Sequence, residues 1–319
     1  MKSPTLLILI CVSLLFGCGK DSRPDKVWQL VTGGITAAAL DYDHALLASI
    51  DHGAEWWQLK PQRLRHTFRH GGNQEQNLIA VAVNADGQYA LTADRDGIAW
   101  WETRTGKPLA SWALPEIHTV ALSTDGHWAL IGLGDRAIYF SLEHGKTRFA
   151  FPHERKVKTV ALDWKQRLAL TGGDDGLAQL WDLRTGQLIH SWKHRGKMAN
   201  VTLSPKGTYA MTNALLGPIR IWKTASGKLL HELDPTFITV TKAIFSNKEG
   251  LLATGHPSHG IKLWSVKTGR LLRRFTPSQS QWRPTASPIL ALKFSRNGHF
   301  ILSATSDGSV QRWRMIKKK

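Results

Sequence analysis

Hydrophobic residues in this chain come in short bursts separated by polar turn residues. Val81-Ala82-Val83 precedes Asp86-Gly87, Val120-Ala121-Leu122 precedes Asp125-Gly126, Val201-Thr202-Leu203 precedes Pro205-Lys206-Gly207, and Leu292-Lys293-Phe294 precedes Asn297-Gly298. These bursts predict inner strands ending in hairpins, because glycine supplies the positive φ such turns require. A second apolar strand follows, as in Tyr89-Ala90-Leu91-Thr92, Leu168-Ala169-Leu170-Thr171 and Phe300-Ile301-Leu302-Ser303. A third strand carries an aromatic residue. Turns such as Thr105-Gly106-Lys107, Thr185-Gly186-Gln187, Ser226-Gly227-Lys228 and Thr268-Gly269-Arg270 then lead into an outer strand, for example Leu188 to Trp192.

The unit returns seven times, marked by Trp57, Trp101, Phe140, Trp181, Trp222, Trp264 and Trp313 at spacings of 44, 39, 41, 41, 42 and 49. A period of about 42 with four short strands per unit predicts an all-β, seven-bladed β-propeller, which absorbs the whole length as one domain. The last unit stops at its third strand, Trp313-Arg314-Met315. Val27-Trp28-Gln29-Leu30 look like an outer strand such as His190-Ser191-Trp192 and precede the first inner strand, Thr36 to Leu40. They are expected to pair with the seventh blade, closing the ring and removing its open edges.

This pattern resembles the WD-repeat family over nearly all of the chain after its first residues. The resemblance implies a buried structural tetrad in blade four, Pro152 to Trp192, made of His153, Thr171, Asp175 and Trp181. Blade seven keeps Ser303, Asp307 and Trp313 without the histidine. Blade five keeps His194, Thr212 and Trp222 with Leu216 where the aspartate would sit, and blade three has Phe140 for the tryptophan. A catalytic triad is the competing reading of Asp, His and a hydroxyl. The structural reading is preferred because the set recurs in fragments around the ring, and buried polar groups find their partners in a blade core.

The N-terminus reads as a targeting segment: Lys2, then an apolar run from Leu6 to Phe16 broken only by Ser13, ending at Gly17-Cys18. Leu15-Phe16-Gly17-Cys18 resembles a bacterial lipobox, although Phe16 is bulkier than usual there. The resemblance implies residues 1–17 as a lipoprotein signal peptide, lipidation of Cys18, residues 18–25 as a tether and 26–319 as the propeller. A cysteine that merely ends a secretory signal is the alternative. Gly19 implies outer-membrane sorting in a Gram-negative source, and the seven residues Gly19 to Asp25 that follow the lipidated cysteine reach about 25 Å. Cys11 and Cys18 are the only cysteines, so no disulfide is expected in the propeller body.

No metal or nucleotide signature is present, and His66 and His70, four apart, lie in a strand-and-turn context. No cofactor and no turnover chemistry are expected; the Thr-Gly turns differ from those of quinone-dependent propellers, in which tryptophan follows more closely. Charge does change the picture: 42 Lys and Arg stand against 24 Asp and Glu, a net of +18. Loops from outer to next inner strand line one face of such a ring. They are expected to carry His153, Arg155, Lys156 and Lys158 for blade four and Lys193, His194, Arg195 and Lys197 for blade five, merging into one basic patch, with Arg69 and His70 in an earlier loop. The patch either binds an anionic lipid, an envelope polysaccharide or an acidic protein, or is a solvated basic surface that keeps the protein soluble; export disfavours nucleic acid. The long connection Thr276 to Ser287 holds Trp282 and Arg283, a pair of the kind that anchors interfaces, or else a tryptophan that folds back onto its own blade. The expectation is a membrane-anchored scaffold for protein partners at the cell envelope, or else a binding module for an anionic envelope ligand.

Overall fold

The computed structural model describes residues 23–71, 77–163, 165, 167–233, 239–258, 260–276 and 287–315. Among them are 28 strands and no helix. The strands form seven four-stranded antiparallel sheets. Strand β1 is Lys26–Gln29. Blade one holds β2 (Ala37–Leu40), β3 (His44–Ser49), β4 (Gly53–Leu59) and β5 (Gln62–Phe68), and blade two β6 (Ala80–Val83), β7 (Tyr89–Ala93), β8 (Gly97–Glu102) and β9 (Pro108–Ala113). Blade three holds β10 (Thr119–Leu122), β11 (Trp128–Gly132), β12 (Arg136–Ser141) and β13 (Lys146–Pro152); blade four β14 (Val157–Asp163), β15 (Leu168–Gly173), β16 (Leu177–Asp182) and β17 (Leu188–Lys193). Blade five holds β18 (Met198–Leu203), β19 (Tyr209–Ala214), β20 (Ile219–Lys223) and β21 (Leu229–Leu233), and blade six β22 (Lys242–Phe245), β23 (Leu251–Gly255), β24 (Ile261–Ser265) and β25 (Leu271–Phe275). Blade seven combines β26 (Ile289–Phe294), β27 (Phe300–Thr305) and β28 (Ser309–Arg314) with β1 from the other end of the chain.

The seven landmark aromatics occupy one equivalent position. Each faces the second residue of its second strand: Ala45 pairs with Trp57, Ala90 with Trp101, Ala129 with Phe140, Ala169 with Trp181, Ala210 with Trp222, Leu252 with Trp264 and Ile301 with Trp313. In the first six blades the third and fourth strands shift register at this residue. A short hairpin follows it at once, and a bulge absorbs the mismatch between tight turn and ladder. Blade seven has no such hairpin. Its β1 therefore runs against β28 with an unbroken register, Lys26 opposite Arg312 through Gln29 opposite Ser309. Leu30 falls just beyond the strand, and its amide donates to the Gly308 carbonyl at 3.2 Å.

Blades hold each other through aromatic pairs. The outer strand of one blade lays a ring on the landmark residue of the next: Phe68 on Trp101 (4.9 Å between centroids), Phe151 on Trp181 (4.8 Å), Trp192 on Trp222 (5.0 Å) and Phe275 edge-on to Trp313 (5.6 Å). At the closure Trp28 of β1, buried at 3% exposure, shares one hydrophobic cluster with Leu30, Val31 and the partly buried Trp57. The hairpin glycines serve these contacts as well as the backbone. Gly186 has φ 75°, and a Cβ there would stand 2.6 Å from the Phe149 ring of the preceding blade; at Gly227, φ 67°, it would meet His190 at 2.8 Å. Positive φ alone accounts for glycine at these turns in the sequence; the ring tucked beneath supplies a second requirement.

Candidate functional site

Strand order places the turns between second and third strands, and the connections from each outer strand to the next blade, on one face of the ring. There the polar residues gather into hydrogen-bonded sets. In blade four Trp181 Nε1 donates to Thr171 Oγ1 at 3.0 Å, Thr171 Oγ1 lies 2.8 Å from His153 Nε2, and His153 Nδ1 lies 2.8 Å from Asp175 Oδ2. Donation running from indole to hydroxyl to imidazole to carboxylate satisfies every member. Asp175 also accepts from the amides of Glu154 (3.1 Å) and Leu177 (2.9 Å), tying the loop to the turn. The side chains of His153 and Asp175 are 0% and 2% exposed, so no substrate reaches them.

Blade two carries a second complete set that spacing conceals. Trp101 Nε1 donates to Thr92 (2.8 Å), Thr92 contacts His70 Nε2 (2.7 Å), and His70 Nδ1 contacts Asp94 (2.9 Å). Asp94 lies two positions and Trp101 nine positions after Thr92, against four and ten after Thr171 in blade four, because the blade-two turn is shorter. His66 points elsewhere: its Nε2 lies 3.2 Å from the Arg104 carbonyl. The two histidines thus go to separate places, and no group of three or more metal-binding side chains exists among the described residues.

The remaining blades keep parts. Trp313 donates to Ser303 (2.9 Å), while Asp307 pairs with Thr305 (2.7 Å). Trp264 donates to Thr254 (3.0 Å), which contacts His256 from its own turn (3.0 Å). In blade one the hydroxyl position is Leu47, and Trp57 donates instead to Glu55 (2.8 Å). Blade three is apolar at both positions, with Ile131 beside Phe140. Trp222 donates to Thr212 (2.8 Å) in blade five, but His194 Nε2 is buried without a partner.

Burial, and after it the charge of Arg220, pushes His194 down to about 4, with Glu232 pulling the other way. Its ordinary value of 6.5 returns in the unfolded chain, which therefore binds more protons between these limits. Stability from this group is present above about pH 6.5 and falls as the pH drops toward 4. Moving from about pH 7.5 to about pH 5 is expected to cost about 2 kcal/mol through His194 alone. Urea midpoints of wild type and His194→Phe at both values check this: a variant whose pH dependence is as steep as wild type would refute it.

The basic residues are exposed at Arg155, Lys156, Lys158, Lys193, Arg195 and Lys197. Their setting differs from the expectation in three respects. Lys158 and Lys193 belong to strands β14 and β17. His153 and His194 turn inward, His153 as a ring hydrogen-bonded at both nitrogens and His194 against the Trp222 ring. Finally, an acidic residue sits in the middle: the Asp174 amide donates to the Lys156 carbonyl (2.8 Å) and its carboxylate pairs with Lys197 (3.7 Å). Blades four and five are joined there, with part of the positive charge answered. Cation density continues the other way, where Lys158, Lys156 and Arg95 surround His118 and, after burial, hold it below its ordinary range. Cys18, Trp282 and Arg283 lie outside the described residues.

The family model for the WD domain, G-beta repeat, matches residues 145–182 and 277–314, which fall in blades three to four and in blade seven. The chain is 23% identical to the U3 small nucleolar RNA-associated protein 21 homolog of Schizosaccharomyces pombe over 231 residues, 69% of this chain and 20% of that protein. It is 26% identical to the human WD repeat-containing protein 36 over 199 residues, 61% of this chain and 17% of that protein. Protein ROOT INITIATION DEFECTIVE 3 of Arabidopsis thaliana is 34% identical over 77 residues, 24% of this chain and 16% of that protein. The match thus spans a fifth or less of these curated relatives. Seven equivalent aromatic positions, four-stranded blades and a ring closed by β1 agree with the matched repeats: the chain is a seven-bladed β-propeller that carries WD repeats.

Proposed function

We propose that this protein is a membrane-anchored scaffold that holds protein partners at a bacterial cell envelope and carries out no turnover of its own. WD-repeat propellers generally act as non-catalytic platforms for protein partners. The observation that carries the reading here is the sealing of the His-Asp-hydroxyl sets: with His153 and Asp175 inaccessible, the residues of blade four most suggestive of acid–base chemistry are structural. What remains for function are loops and blade edges. Anchoring rests on Leu15-Phe16-Gly17-Cys18, with Cys18 as the lipidated residue and Gly19 favouring the outer membrane if the cell is Gram-negative. Crosslinking in the native envelope tests this directly. A stoichiometric protein partner, lost from the membrane fraction with Cys18→Ala, is the expected result; a soluble wild-type protein or no crosslinked protein would overturn it.

A second reading, an anionic lipid or polysaccharide on the basic face, is favoured by the Arg95, Lys156 and Lys158 grouping around His118. Replacing Arg155, Lys156, Arg195 and Lys197 with Ser removes four charges near one site. Retention on anionic vesicles is then expected to fall at least about tenfold at low salt, because each exposed cation near an anionic surface contributes about 1 kcal/mol. Unchanged retention would leave Asp174 having neutralised the patch and retire this reading.

A further inference from the structure

Blade five departs from blade four at one place in several ways at once. In blade four the turn Gly173-Asp174-Asp175-Gly176 sends Asp175 inward to His153. The matching turn, Ala214-Leu215-Leu216-Gly217, closes with a Gly217 amide to Ala214 carbonyl bond of 3.1 Å but holds Leu216 at φ 50°, a left-handed conformation that leucine rarely adopts. Leu216 therefore faces outward, 76% exposed, beside Leu215 at 48%. Where a carboxylate stands in blade four there is instead an open cavity of about 470 Å³. His194, only 6% exposed, lines it and has an unpartnered buried nitrogen.

We propose that this cavity binds an organic monocarboxylate carried on an apolar group, which takes against His194 the place that Asp175 holds against His153. The assignment goes beyond the scaffold reading and does not rest on it. In blades two and four it is Nδ1 that meets the carboxylate, leaving Nε2 to face the threonine hydroxyl. Blade five retains that hydroxyl on Thr212 and the indole donor of Trp222. What it lacks is the carboxylate that would orient the imidazole: His194 Nε2 makes no bond to Thr212, and a ligand carboxylate at Nδ1 would turn the ring toward that hydroxyl as Asp175 orients His153. Charge narrows the choice. Arg220 is paired with Glu232 at 3.0 Å, whereas Arg195, exposed, has no ion pair among the described residues. One unanswered guanidinium with a carboxylate at its flank suits a single negative charge and penalises two. Leu215, Leu216 and Pro218 supply the apolar side.

Benzoate is a suitable probe, titrated calorimetrically into the purified full chain. The charged groups facing His194 are Arg195, Arg220 and Glu232. A carboxylate arriving among them favours the imidazolium, so binding takes up a proton and is expected to be about tenfold tighter near pH 5 than near pH 7.5. Leu216→Asp places a carboxylate where blade four has one; it is expected to abolish benzoate binding and to raise the thermal midpoint. If that variant does not fold, His194→Asn serves, and is expected to bind benzoate weakly with no pH dependence. Near-UV circular dichroism verifies the fold of each. No binding to wild type at either pH overturns the proposal, as does full-affinity binding to folded Leu216→Asp or an unaltered pH profile in His194→Asn. A peptide ending in free leucine, compared with its amide, identifies the source: binding about tenfold tighter than benzoate and lost on amidation marks a protein C-terminus, and parity with benzoate marks a small molecule.

Discussion

Trp28→Ala is expected to lower stability by about 3–5 kcal/mol, read as a fall in the urea midpoint. The residue sits on a strand of four residues whose neighbours Lys26, Val27 and Gln29 are exposed, so it is the main apolar anchor of β1. Its ring lies at 3% exposure among Val31, Leu30 and Val310, with the Lys26 ammonium 4.8 Å above it. The indole nitrogen is buried without a partner, so the substitution sacrifices no hydrogen bond and the whole loss is packing and burial. Release of β1 would also free the edge of β28, and the Asp25–Arg312 pair at 3.0 Å spans the same seam. Close approach there leaves no slack: the Gly308 backbone abuts Val31 and has φ 82°. A loss under about 1 kcal/mol would show that the ring is held without its first strand.

The second large effect concerns Asp175. Asp175→Ala is expected to destabilise by about 3 kcal/mol, because three donors, His153 Nδ1 and the amides of Glu154 and Leu177, lose their acceptor inside a blade. Asp94→Ala breaks the equivalent set in blade two, but the Asp94 side chain is 31% exposed against 2% for Asp175. Water replaces part of what is lost there, and about half the effect is expected. Asp175→Asn keeps an acceptor and should fall between the two. Chemical denaturation of all three variants checks the ranking; equal losses at Asp94 and Asp175 would mean that burial does not govern these sets.

Much of the architecture was legible because it is written in local periodicity. Short apolar bursts, glycine at turns and an aromatic every 39 to 49 residues locate blades without knowledge of how they touch. The closing strand was legible too, as an outer strand without a blade at one end of the chain and a blade without an outer strand at the other. The blade-two set was missed for a physical reason. A shorter turn brings Asp94 to His70 from a different sequence distance, and hydrogen bonds recognise positions in space. Composition showed excess positive charge but not Asp174 lodged between Lys156 and Lys197.

From sequence alone came the repeat, the blade count, the resemblance to WD repeats and the missing aspartate at Leu216. Only the folded ring decided what that missing residue does, turning a leucine outward and opening a cavity beside a histidine that had lost its partner. The division follows from range: strand and turn preferences act over a few neighbouring residues, whereas burial, pairing and empty space are set by segments tens to hundreds of positions apart.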